Sequence, residues 1–444
     1  MQQDEYKNVP KIITDVPGPE SKLLLQRQKE MESNTVTYPD SFPIAIKSAE
    51  NSLIEDLDGN IFIDWVSGIS VLNLGFNDKI RDAVKAQLDD IWHALEIPTE
   101  VRINFLEALR NSFPPEMRNY KTIFGISGAD ACETAINIAH AIRKKNAPTI
   151  AFEGAYHGVS GGIIAATAGR KYREAVYSDG FKVIRVPYPY KLWYDYDVSD
   201  IISIMKKIMD DGEAGYDRPD SVIVEPVQGE GGYIVPPDGF LKAIREFCTE
   251  YDLTMIVDEV QSGVGRTGKM WAFEYENITP DIVCVSKSIG GGLPVSLVYY
   301  RDDYDKKLPK PFHLGTYRAN PLAMAAGITV INEVPKYFDK VKSSGKEMLS
   351  KFNKIDSNLI GEVRGKGYMI GIELVDNGKP MNSKHMMELK HELLQNGLLM
   401  HTCGHYGNVF RFMGSLNIPQ ELNDRGVKIF KSVVSKSQMD KMKH

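Results

Sequence analysis

The sequence predicts an α/β protein, with a large domain on a mainly parallel, seven-stranded sheet and a smaller α+β domain beside it. Three observations carry this reading. Between about Thr122 and Ser296, short runs rich in Val and Ile alternate with amphipathic stretches, the pattern of strands joined by crossover helices. Those runs lack polar alternation, as strands buried on both faces do. After Asn320 the alternation gives way to helices and then short strands.

Taken in order, the chain opens with Pro10, Pro17, Gly18 and Pro19 ahead of a polar helical stretch from about Ser21 to Ser33. This reads as an arm laid over a body, without a core of its own. From Phe42 to Trp65 apolar segments flank Leu57-Asp58-Gly59-Asn60, a hairpin signature. The strand candidates of the large domain are Thr122–Ile126, Thr149–Phe152, Lys182–Val186, Ser221–Val224, Leu253–Val257, Ile282–Val285 and Val295–Tyr299. Helices follow at about Leu322–Glu333 and Asp339–Asn353, then short strands near Gly367–Leu374 and Val409–Arg411. The expected boundaries are an arm and hairpin over residues 1–65, counted with the small domain, a large domain over 66–330, and a C-terminal small domain over 331–444. No internal repeat or low-complexity segment interrupts them.

A chain of 444 residues, 43% hydrophobic and 25% charged, holds enough apolar material for a large core without disulfides or metals. Its net charge of −6 gives no general attraction for nucleic acid or anionic lipid. The cysteines Cys132, Cys248, Cys284 and Cys403 stand far apart and read as reduced thiols. No apolar run approaches the roughly 20 residues of a membrane helix, and the first residues show no signal or transit pattern. The expectation is a cytoplasmic protein.

The stretch LTMIVDEVQSGVGRTG, from Leu253, is an apolar strand ending in an acidic pair. Open α/β sheets bind ligands at the carboxyl ends of their strands. Asp258 aimed into such a crevice would be a nearly desolvated anion, tolerated against a cation such as a protonated pyridine nitrogen. A second strand, DIVCVSK, ends at Lys287 and runs into Ser288-Ile289-Gly290-Gly291-Gly292. An amine there is a candidate Schiff-base former, with glycines that let a bulky ring approach. An ordinary loop lysine before a glycine turn is the alternative, and the pairing with Asp258 weighs against it.

Ser127-Gly128-Ala129 precedes an amphipathic helix running to about Lys144. Exposed amides at that start suit a phosphate, although a serine cap backed by glycine has the same look. In GAYHG, Gly154 to Gly158, Tyr156 is either a ring stacker or a plain turn aromatic. Phosphate cradle, aromatic, carboxylate and lysine occur in that order at successive strand ends, as a pyridoxal-5′-phosphate site requires.

These residues, with EPVQGEGGYIVPP (Glu225 to Pro237), DEVQSGVGRTGK and SKSIGGGLP, resemble the class III aminotransferases over nearly the whole chain. That family has the fold type I architecture, uses pyridoxal 5′-phosphate, and also contains some amino-acid racemases. The resemblance implies that Lys287 forms the Schiff base and acts as base, Asp258 pairs with the ring nitrogen, and Gln261 bonds the ring oxygen. It further implies that Ser127, Gly128 and Ala129 hold the phosphate, and that Tyr156, His157 and Glu225 adjoin the cofactor. Thr316, in HLGTYRANP, would reach the phosphate of a second subunit, making a homodimer with shared active sites. Arg411 would fork onto a substrate carboxylate, with Ile69 also at the substrate and Glu230 covering the arginine while an ω-amino group reacts.

The implied reaction moves an amino group from an amino acid or ω-amine to a 2-oxo acid such as 2-oxoglutarate. Racemisation is the alternative, and Glu230 favours transfer. Three departures leave the amino donor open: Val159 stands where a distal-carboxylate arginine is usual, Met413-Gly414-Ser415-Leu416 replaces Pro-Pro-Leu, and Gly75-Phe76 replaces Gly-His. Gly263, Gly265 and Gly268 fit a dinucleotide fingerprint, but no helix opens directly after the strand. His401, Cys403 and His405 read as a loop rather than a metal centre.

Overall fold

A computed structural model describes residue 6 and residues 8–176 and 180–441. The opening stretch of the arm lies largely outside the described residues. Along the chain the strands are β1 (Ile46–Glu50), β2 (Leu53–Asp56), β3 (Ile61–Asp64), β4 (Lys121–Gly125), β5 (Thr149–Phe152), β6 (Val183–Val186), β7 (Ser221–Val224), β8 (Thr254–Asp258), β9 (Ile282–Val285) and β10 (Ser296–Tyr300). Then come β11 (Ile360–Lys366), β12 (Met369–Asp376), β13 (Lys379–Pro380), β14 (Leu398–Leu399), β15 (His401–Cys403) and β16 (Val409–Phe412).

The chain divides into two units, one comprising residues through Asn77 together with Lys340 onward, the other Asp78–Asp339. The boundaries differ from the expected 65/66 and 330/331 for identifiable reasons. Residues 66–77 hydrogen-bond within the first unit, Phe76 with Asn51 and Asn73 with Leu416. At the other end, Glu333 is tied to Lys79 and the helix Pro321–Glu333 packs on the helices Asp78–Leu88 and Glu100–Ser112.

In the second unit, the seven strands run in the order β4-β10-β9-β8-β7-β5-β6. The five from β9 to β6 are parallel, while β10 lies antiparallel to both β9 and β4. Every residue of β5, β7, β8 and β9 is buried. Helices cover the sheet, and the core under Gly128–Arg143 gathers Ala135, Ile136, Ile223, Ile256 and Val298.

In the first unit, Leu57-Asp58-Gly59-Asn60 turns β2 into β3, with Gly59 at φ +83°, a conformation glycine adopts without strain. β14 joins that sheet parallel to β3, so the N-terminal hairpin is completed by C-terminal chain. The arm lies on the same unit: Lys11 bridges Ile61, the Ile13 and Thr14 amides donate to Asn60 Oδ1, and Val16 is buried. A second sheet, β11-β12-β16-β15, completes it. All four cysteines are buried free thiols. Among the described residues no helix is long and apolar enough to cross a membrane.

Candidate active site

Three parallel strand ends and one helix start build the site. β8 ends at Asp258 and is paired with β9, Asp258 opposite Cys284, so the chain leaving β9 carries Lys287 past the same edge of the sheet. Lys287 has φ +51°, left-handed geometry that costs a side-chain-bearing residue energy and persists where surroundings impose it. β4 ends at Gly125, and Ser127 then caps the helix Gly128–Arg143, its side chain accepting from the Asp130 amide. β5 leads to Tyr156, His157 and Gly158.

These segments meet around one cavity of about 350 Å³. Its walls include Ser127, Gly128, Ala129, Tyr156, His157, Glu225, Glu230, Asp258, Gln261 and Lys287, so ten of the expected residues converge. Val159, the position without the arginine, also lines it. Thr316 is exposed and is not part of this wall. Ile69 and Arg411 belong to the other unit. There Arg411 is buried on β16 opposite Gly371, and Ile69 holds φ +60°, a strained value for a β-branched residue.

Glycines set the fit of the helix start. A Cβ on Gly128 would meet Val260 at 2.9 Å, and one on Gly158 would meet the Ala129 Cβ at 2.4 Å. Small residues therefore let two strand-end loops, those after β8 and β5, close around the first amides of the helix, where an anion is stabilised. Gln261 presents a buried Oε1 with no partner among the described residues, a polar atom in the wall that a bound group would satisfy.

Electrostatics single out Asp258, 4% exposed. Its Oδ1 accepts from the Val260 amide at 2.9 Å; its Oδ2 accepts from His157 Nδ1 at 2.7 Å and from Cys132 Sγ at 3.3 Å. Burial alone would raise its proton affinity, but His157 and the other donors hold the carboxyl below its usual range. Burial lowers the proton affinity of His157, and Asp258 more than reverses this, pushing it up to about 10. Glu225 has another task. Its two oxygens accept from the Tyr156 and Gly229 amides at 3.0 and 2.9 Å, so it ties two site loops together, and burial pushes it up to about 7.

Cys132 escaped the sequence reading. It lies four residues after Gly128, hence on the same helix face, a spacing that was available as a signal.

A mainly parallel sheet thus brings a lysine and a buried acid from adjacent strand ends, and the amide-rich start of a helix, to one cavity. The chain belongs to the aminotransferase class-III family, whose model matches residues 36–434. A diaminobutyrate–2-oxoglutarate aminotransferase of Rhizobium meliloti is 34% identical over 90% of this chain and 89% of its own length. A 4-aminobutyrate aminotransferase of Mycobacterium leprae is 33% identical over 95% of this chain and 97% of its own. Among solved structures, a transaminase from the marine bacterium Virgibacillus superposes with TM-score 0.85 at 22% identity, over 94% of this chain and 99% of that one. An amine transaminase from an uncultivated Pseudomonas species, in a PLP-bound form, superposes with TM-score 0.82 at 24% identity, covering 91% and 97%. The architecture is that of fold type I.

Proposed function

We propose that this chain is a pyridoxal-5′-phosphate-dependent aminotransferase that carries an amino group from an amino acid or ω-amine to a 2-oxo acid such as 2-oxoglutarate. The observation that supports it best is the convergence of Lys287, Asp258 and the amide-rich start of Gly128–Arg143 on one cavity. The residues fit the cofactor: helix amides suit its phosphate, the unpartnered Gln261 Oε1 suits a donor on its ring, and an anionic Asp258 suits a protonated ring nitrogen. When bound, the cofactor supplies an electron sink for bond loss at the carbon bearing nitrogen.

The protein's own part is positioning and proton transfer. Lys287 Nζ would hold the cofactor and, once the substrate amine has taken its place, would serve as the base that moves the proton at the carbon bearing nitrogen. His157 keeps Asp258 ionised, Tyr156 flanks the ring, and Glu225 fixes the Tyr156 backbone. Ser127, Gly128 and Ala129 bind the phosphate. By resemblance alone, Ile69 and Arg411 act on the substrate, Arg411 on its carboxylate, and Glu230 governs when that arginine is used.

We also propose a homodimer in which Thr316 serves the partner's site. In its support, Trp92 (59% exposed), Ile97 (64%), Leu314 (67%) and Tyr317 (75%) are large apolar side chains left in water. The two segments adjoin, since Asn320 Nδ2 donates to the Trp92 carbonyl and the His93 and Tyr317 rings lie 6.0 Å apart. The relatives named for diaminobutyrate and 4-aminobutyrate carry to this chain the class of donor, a terminal amine, and not the member of it. The protein acts in the cytoplasm on this reading.

Borohydride reduction of the purified protein followed by peptide mapping is expected to find the cofactor on Lys287; label elsewhere, or none, refutes the proposal. A second arm incubates an L-amino acid in deuterated water without a 2-oxo acid. Aminotransfer requires the acceptor for turnover, whereas repeated loss of chirality in its absence would establish the racemase chemistry instead.

A further inference from the structure

Asp258 has roughly four acceptor sites on its two oxygens, and three are filled by the protein: Val260 N on Oδ1, His157 Nδ1 and Cys132 Sγ on Oδ2. The free site is on Oδ1. Cys132 reaches Oδ2 from the helix Gly128–Arg143, one turn beyond the amides at the phosphate end of the cavity. It is fully buried, and it donates, because its acceptor is an ionised carboxylate. We propose that Cys132 is a positioning residue of the amino-transfer centre: its thiol, with His157, occupies Asp258 Oδ2 and leaves Oδ1 as the oxygen that meets the cofactor's ring nitrogen. This rests on the reading, given above, that Asp258 faces that nitrogen.

The chemical consequence follows from proton sharing. A proton between Oδ1 and a pyridine nitrogen stays on nitrogen only while the carboxylate is the weaker base, and each donor on Asp258 weakens it. Burial tends to strengthen it, so the donors decide the balance. The groups bearing on Asp258 are His157 from the β5 loop, Cys132 from the helix, Glu225 from the end of β7 and Cys284 from β9. Of these His157 and Cys132 donate to it. The thiol is neutral: its neighbour Cys284, burial and the Asp258 charge all raise its proton affinity. Cys132 therefore acts as a hydrogen-bond donor and not as a nucleophile. One helix thus serves both ends of the cofactor, amides at the phosphate and a thiol behind the ring.

The test compares Cys132→Val, which removes the donor, with Cys132→Ser, which keeps one, in reconstituted holoenzyme. Cys132→Ala serves if valine disturbs helix packing. Three quantities are measured: the pH midpoint of the absorbance of the cofactor on Lys287, the dissociation constant for pyridoxal phosphate from titration of the apo-protein, and kcat and KM for the amino donor. A ring nitrogen that shares more of its proton makes the nitrogen on Lys287 more basic, so Cys132→Val should raise the midpoint by roughly half a unit to one unit. Its kcat should fall about three- to tenfold with KM changed less than about twofold, the signature of a loss expressed in the reaction and not in donor binding. Cys132→Ser should return midpoint and kcat to within about twofold of wild type. An unmoved midpoint in Cys132→Val, or a serine variant as impaired as the valine one, overturns the proposal while leaving the cofactor reading intact. A wild-type protein whose Lys287 carries no cofactor after reduction takes down both.

Discussion

Gly158→Ala probes whether the helix start and the strand-end loop are held as tightly as the cofactor reading needs. Gly158 has φ +120°, and an added Cβ would stand 2.4 Å from the Ala129 Cβ and 2.7 Å from its Cα. Ordinary contact begins near 3.4 Å, so the loop and the first turn of the helix must part by about an ångström. The backbone strain is about 1–3 kcal/mol, and overpacking adds about 1–3 kcal/mol. The variant should lose about 2–6 kcal/mol of stability. If the displaced amides hold the phosphate, the lower figure already weakens the cofactor about thirtyfold, at 1.4 kcal/mol per factor of ten. The assay is titration of the apo-variant with pyridoxal phosphate by absorbance, alongside thermal unfolding. Gly212→Ala is the control, since a Cβ there meets nothing within 4 Å. A Gly158→Ala protein that melts like wild type and binds the cofactor within about threefold of it would refute the idea that these contacts set the cradle.

Lys287→Ala should bind pyridoxal phosphate without a borohydride-stable bond and lose at least about a thousandfold in kcat, measured with an ω-amino donor and 2-oxoglutarate. Val159→Arg places a cation in the cavity wall, and KM for donors bearing a distal carboxylate should fall about tenfold while that for uncharged amines rises. Glu259 is fully buried, accepting from the Phe273 amide and the Ser262 hydroxyl, and burial pushes it from 4.5 up to about 8. Between those values the folded protein holds a proton that the unfolded chain has released, so this contribution to stability is complete below about pH 4.5 and is lost as pH rises through about 8. Glu259→Gln should accordingly gain stability relative to wild type with rising pH, by denaturant unfolding at about pH 6 and 9. Trp92→Glu with Tyr317→Glu should convert the proposed homodimer to monomer in sedimentation and abolish turnover.

Much of the second unit was legible because its strands are short apolar runs between helices, and β5, β7 and β9 fall at the expected residues. The site was legible for the same reason: in a parallel sheet every strand ends at the same edge, so order along the chain becomes proximity in space. The first unit was legible in part, with the hairpin of β2 and β3 and the strands β12 and β16 near their expected places. β14 and β15 are two and three residues long, too short for any periodicity, and β14 is a strand only through its pairing with β3. The helices Asp78–Leu88 and Ser383–Gln395 were not among the expected elements. Cys132 went unassigned for a different reason: the spacing from Gly128 puts it on the site's side of the helix, but the acceptor of its thiol is a carboxylate 126 residues away.

Three buried acids near the ends of two adjacent strands bring out why the charge sits where the chemistry needs it. Glu225, Asp258 and Glu259 are each less than a tenth exposed, so desolvation works against ionising any of them. Glu225 gets two backbone amides and is pushed up to about 7; Glu259 gets an amide and a hydroxyl and is pushed up to about 8. Only Asp258 hydrogen-bonds an ionisable base, His157 at 2.7 Å, while Glu225 feels the same histidine at longer range, and only Asp258 is held below its ordinary value. Neutral donors therefore do not suffice here, and a cationic partner does. Asp258 and His157 together are already charge-neutral, so what Asp258 still offers is the acceptor site on Oδ1 beside the Val260 amide, which a donor such as a protonated ring nitrogen would fill. On the proposed cofactor reading, a hydrogen bond to that oxygen favours the protonated form of the ring, the form that draws electrons from the substrate carbon.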